Sequence, residues 1–130
     1  MKFTADTNGH ITAIRFYKAP ANTGTHVGHL WSSSGTSLAT VTFSGETASG
    51  WQQANLSTPV SVTAGTTYVV SYHTNAGHYA ITSNGLSSPV TNGPLTALAS
   101  GGVYAYGSGN AFPSLTFNAS NYWVDVVYGP

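Results

Sequence analysis

The chain has no cysteine, which excludes disulfides, thiol nucleophiles and cysteine-ligated zinc. Charge is almost as scarce. Three basic residues (Lys2, Arg15, Lys18) face three acidic ones (Asp6, Glu46, Asp125), so charged residues make up 5% of the chain where about 25% is usual. A net charge of zero and no basic cluster argue strongly against nucleic acid and anionic membrane as partners. No apolar run reaches the length a bilayer requires, so no membrane insertion is expected. Helical periodicity is missing too: no window repeats apolar residues at three-and-four spacing over three turns.

What is present is a β grammar. In 130 residues, enough for one domain that buries roughly two-thirds of its unfolded surface, short alternating runs recur between Gly, Asn, Ser and Pro clusters. The densest β-forming run, Thr67 to Tyr72, follows an Ala64-Gly65 turn, with extended pieces before it at Gly50-Trp51 and Pro59 to Val62. Further strands are predicted at Met1–Thr7, His10–Lys18, His26–Trp31, Leu38–Phe43, His78–Thr82, Gly101–Tyr106 and Asn121–Tyr128. Asn8-Gly9 reads as a hairpin turn, and residues 83–100 as a long loop. Around nine strands in one domain must split into two packed sheets. The predicted fold is all-β, a two-sheet antiparallel β-sandwich of jelly-roll type, with an immunoglobulin-like sandwich as the alternative. The first and last strands are expected side by side. In the strand His10–Lys18, Ile14 and Phe16 are assigned to one face and Ile11, Ala13, Arg15 and Tyr17 to the other.

The ordered motifs ITAIRFYK, NTGTHVGHLWSSSGTSLATVTF, ETASGWQQ, TPVSVTAGTTYVVSYHT, GHYA, GPLTAL, GGVYAYG and NYWVDVVY cover essentially the whole chain. In them the chain resembles the bacterial domain of unknown function 4082. The resemblance implies a β-sandwich module, usually one of several in long secreted or surface-attached bacterial proteins. It implies no catalytic residue. The cadence from Trp51 through Tyr68 is also similar to that of jelly-roll carbohydrate-binding modules. Residues 1–130 are accordingly expected to be one module excised from a larger secreted or cell-surface protein whose signal peptide lies outside this chain; a whole cytoplasmic protein is the alternative.

Candidate chemistry is thin. The five histidines include His26 and His29, three apart and so on opposite strand faces, and His73 and His78, which flank the Asn75–Gly77 turn. Imidazole suits copper and zinc, but no third ligand stands out. No nucleophile elbow occurs, and no two of the three carboxylates form an evident catalytic pair. Asp125 is expected to pair with Arg15 across neighbouring strands. Aromatics are plentiful: three Trp, eight Tyr and five Phe. Sugar rings stack on exposed aromatic faces while amides and hydroxyls take their hydroxyl groups. Trp51, Phe16 and Phe43 are assigned to the core. His73, His78, Tyr79, Tyr104 and Tyr106 form the expected ligand-binding cluster. The expected function is a non-catalytic extracellular accessory module binding a neutral polysaccharide or cell-surface glycan, alongside neighbouring domains of the parent chain. The alternatives are a structural spacer or adhesin domain, and a small histidine-ligated copper enzyme acting on polysaccharide. No cofactor is required by the first reading. A structural calcium, for which Ser44 to Glu46 offers oxygen ligands, and a histidine-bound metal are the options considered.

Overall fold

The computed structural model describes residues 1–75, 79–105, 111–116 and 118–129. Among them are nine strands and no helix: β1 (Lys2–Ala5), β2 (Gly9–Lys18), β3 (Val27–Ser32), β4 (Ser37–Thr42), β5 (Gly50–Val62), β6 (Tyr68–His73), β7 (Val90–Asn92), β8 (Leu95–Ala97) and β9 (Val124–Gly129). They form two antiparallel sheets, a six-stranded one in the order β4-β3-β6-β1-β8-β7 and a three-stranded one in the order β5-β2-β9. The two pack face to face as a sandwich. Phe3, Leu30, Tyr68 and Val70 of the large sheet meet Ile11, Ile14, Phe16, Leu56, Val124 and Val126 of the small one. Phe16 sits at the centre, stacked on Tyr72 at 4.4 Å and edge-on to Phe43 at 4.8 Å.

The large sheet is also covered on its outer side. Trp31 and Val69 pack there against Val103 and Phe112 from the loop segments that follow β8, and Trp31 stacks on His29 at 4.9 Å. Trp31 Nε1 donates to Ser71 Oγ at 2.9 Å. On the small sheet the outer face carries exposed residues instead, among them Tyr17, Trp51, Gln53 and Asn55.

Several local readings change. Asn8-Gly9 is no hairpin, because β1 and β2 lie in different sheets. A side chain at Gly9 would meet Gly129 O at 2.5 Å and the Tyr128 ring at 2.6 Å, so the close crossing of β2 and β9 needs glycine. Ile11 joins Ile14 and Phe16 in the core because a bulge at Thr12 shifts the register between Ile11 and Ala13, and one extra residue inverts the alternation. The two extended pieces from Gly50 to Val62 are one strand. Pro59 is tolerated because β5 is an edge strand and Pro59 lies in its own register break between Asn55 and Val60.

Residues 83–100 contain the β7–β8 hairpin, closed by Gly93-Pro94 between Asn92 and Leu95. In turn, 79–82 and 101–105 make isolated bridges, Thr82 with Asn121 and Tyr104 with Leu115, rather than strands. The first and last strands are apart: β1 runs between β6 and β8, while β9 is an edge of the other sheet.

Candidate functional site

The outer face of the three-stranded sheet is built in cross-strand rows. β2 is the central strand, and it pairs Tyr17 with Trp51 on β5 and Arg15 with Gln53 on β5 and Asp125 on β9. The amide of Tyr17 donates to Trp123 O at 2.8 Å, which extends the first row one residue beyond β9. In backbone position the strands therefore line up an aromatic row, Trp51–Tyr17–Trp123, beside a polar row, Gln53–Arg15–Asp125. The rings are 42%, 43% and 36% exposed in that order. Trp51 is thus not a core residue. Alternation along β5 buries Gln52, Ala54 and Leu56 and turns Trp51, Gln53 and Asn55 outward.

Each ring is held in place. The amide of the buried Gln52 closes the turn before Trp51. Its Oε1 accepts from Thr47 N at 2.9 Å, and its Nε2 donates to Thr47 Oγ1 at 2.7 Å and Gly50 O at 3.1 Å. Tyr17 meets Trp51 edge-on, with centroids 5.7 Å apart and planes at 87°. Trp123 has a left-handed backbone, φ 57°, which a bulky side chain adopts only when its surroundings enforce it. Those surroundings are Asn121 Oδ1, which accepts from Trp123 N at 2.8 Å, and Thr82 Oγ1, which accepts from the indole N–H at 2.9 Å.

Arg15 and Asp125 are cross-strand partners, as expected for neighbouring strands, yet they form no ion pair. The Lys/Arg–carboxylate ion pair among the described residues is Lys18–Glu46, and His26 Nδ1 hydrogen-bonds the same carboxylate. The Arg15 guanidinium lies over the Trp51 ring instead, 4.6 Å from its centroid. Asp125 Oδ1 accepts from Val126 N at 2.8 Å. Burial pushes the Asp125 carboxyl above its ordinary value, and the Val126 N–H and the charge of Arg15 offset only part of that. An open cleft of about 490 Å³ joins Arg15, Trp51, Trp123 and Asp125, passes the free edge of β9 and reaches the β7–β8 hairpin at Val90 and Asn92–Leu95.

The cluster expected from the sequence is only partly assembled. Tyr79, 40% exposed, and Tyr104 both lean on Tyr122, with ring centroids 5.6 and 6.0 Å away. His73, at the end of β6, shares a hydrogen bond with Asn75 Oδ1 at 2.9 Å. His78 and Tyr106 lie outside the described residues. No three His, Asp or Glu among the described residues converge to hold a metal ion. In the Ser44–Glu46 loop the carboxylate is already engaged. Glu46 accepts from the fully buried His26 Nδ1 at 2.8 Å and lies 3.2 Å from Lys18 Nζ, while His26 Nε2 meets Asn22 Oδ1 at 2.9 Å. Tyr17, Trp51, Gln53 and Trp123 were not singled out as binding residues by the sequence reading. For Tyr17 and Gln53 the signal is the phase of β2 and β5, one position off the core residues Phe16 and Ala54; for Trp123 it is its place beside the core residue Val124.

No curated protein and no solved structure matches the chain. The family model described as a domain of unknown function, DUF4082, matches residues 1–124. With the match running from the first strand to the start of the last, the chain belongs to the domain of unknown function 4082 family.

Proposed function

We propose that the chain is a non-catalytic, extracellular accessory module that binds neutral polysaccharide on the outer face of its small sheet. The observation that carries this reading is the exposed row Trp51–Tyr17–Trp123 laid beside Gln53, Arg15 and Asp125. Aromatic faces take the C–H surfaces of sugar rings, and the flanking amide, guanidinium and carboxylate take hydroxyl groups. Anchoring to glycan requires no cofactor, and it suits a module joined to neighbouring domains of a longer chain.

The test is retention on a panel of insoluble glycans, followed by affinity measurement on whichever glycan holds the wild type. Trp51→Ala is expected to weaken binding at least tenfold, about 1.4 kcal/mol, with the melting temperature unchanged. Tyr79→Ala and Tyr104→Ala should leave retention intact. Loss of retention in those two variants with Trp51→Ala unaffected would move the site to the tyrosine cluster.

A further inference from the structure

From the angle between the Tyr17 and Trp51 rings we infer that the ligand is a single free glycan chain lying across the strands, not the flat face of a crystalline polysaccharide. The inference rests on the glycan-binding reading of this face and narrows it. A crystalline surface offers parallel chains in one plane and stacks only on rings that share a plane. Here the Tyr17 and Trp51 planes stand at 87°, with centroids 5.7 Å apart. One flat surface cannot stack on both. A chain whose successive rings turn relative to one another can.

The row also sets direction and length. Strand spacing of about 4.8 Å places the two outer row positions about 10 Å apart, measured across the strands and not along them. With one ring on each aromatic, a trisaccharide is the shortest ligand that touches all three. Beyond Trp123 the cleft continues past the edge of β9 towards the β7–β8 hairpin, so a chain leaves the row into a groove, not onto a plane.

The charges beside the row fit a neutral sugar. Arg15 lies against Trp51 at 4.6 Å, and Asp125 sits opposite it on β9. A uronic acid paired with Arg15 would bring its charge up to Asp125, and an amino sugar paired with Asp125 would bring its charge up to Arg15, so neither charge finds a partner without a like-charged neighbour. A neutral unit meets one donor and one acceptor, which matches a pair of neighbouring hydroxyls.

The experiment compares the whole chain and its Trp51→Ala variant on two kinds of probe. One is microcrystalline cellulose and crystalline chitin. The other is their amorphous forms, with soluble cello-, chito-, xylo- and manno-oligosaccharides from disaccharide to hexasaccharide, followed by titration calorimetry. The expected result is binding to amorphous and soluble chains. Affinity should rise steeply from disaccharide to trisaccharide and little beyond the tetrasaccharide, with at least tenfold loss in Trp51→Ala. Retention on crystalline powder that soluble oligosaccharide fails to displace would overturn this inference while leaving the glycan-binding reading in place. Absence of binding to every glycan, crystalline and soluble, would overturn both.

Discussion

Trp51 illustrates how one residue's phase in a strand decides between core and ligand face. Its indole is 42% exposed, with Arg15 on one side and Tyr17 edge-on. Trp51→Ala should therefore cost under about 1 kcal/mol in chemical denaturation, not the ~3–5 kcal/mol of an emptied core site. A core-sized loss would contradict the exposed placement. Asp125 makes the opposite kind of prediction. Its carboxyl holds a proton more tightly in the folded chain than in the unfolded one, because burial outweighs the Val126 N–H and Arg15. Ionising it therefore costs stability, and that cost is absent below the ordinary carboxylate range and sets in as pH rises through the raised folded value. Asp125→Asn should melt higher than the wild type at neutral pH, with the gain fading in acid; it should also bind glycan more weakly. Thermal melts across pH check the first half, and a gain independent of pH would refute it. Residue roles of this kind were half legible. Alternation put Arg15 and Asp125 on one face, but their register depends on which strands are neighbours, and the competition of Trp51 for the guanidinium depends on side-chain reach, which no spacing encodes.

Between strands, the binding face depends on irregularities as much as on regular pairing. The bulge at Thr12 keeps Ile11 in the core while Arg15 and Tyr17 stay outside. At the end of β2, Lys18 and His26 share the Glu46 carboxylate, which ties the loop after β4 to the segment before β3. Glu46→Ala removes the carboxylate shared by buried His26 and Lys18, leaving His26 Nδ1 without its acceptor while Lys18 Nζ keeps Thr47 O at 3.0 Å, so a loss of about 1–3 kcal/mol is expected in equilibrium unfolding. A loss below about 1 kcal/mol would mean the cluster is solvated. The strong strands were readable, β1 to β6 and β9, with β5 read as two pieces, because most alternate or carry a dense β-forming run. The weak ones were not. The β7–β8 hairpin has three residues on each side of Gly93-Pro94, too short for a period, and its glycine and proline read as breakers. Segments 79–82 and 101–105 look like strands in composition. Contacts distant in sequence, Thr82 with Asn121 and Tyr104 with Leu115, hold them as single bridges.

At the scale of the molecule, the six-stranded sheet is covered on its outer side over β3 and β6, while among the described residues the outer side of the three-stranded sheet stays exposed, and that asymmetry leaves a face for a ligand. The two-sheet architecture was legible because some nine short alternating runs in one domain have no other way to bury their faces. Which sheet would stay bare was not, since it depends on where the segments carrying Val103 and Phe112 fold back. The site expected at His73, Tyr79 and Tyr104 came from loop position, whereas the aromatic row comes from sheet order, a property of the assembled sandwich. The two locations can be separated in one measurement. Titrating the isotope-labelled chain with a soluble oligosaccharide that it binds, and following the indole and backbone N–H signals by NMR, maps the contact directly. The account predicts the largest shifts at the Trp51 and Trp123 indoles and along Arg15–Tyr17, with Tyr79, Tyr104 and His73 nearly still. Shifts confined to the tyrosine cluster, with both indoles unmoved, would contradict it.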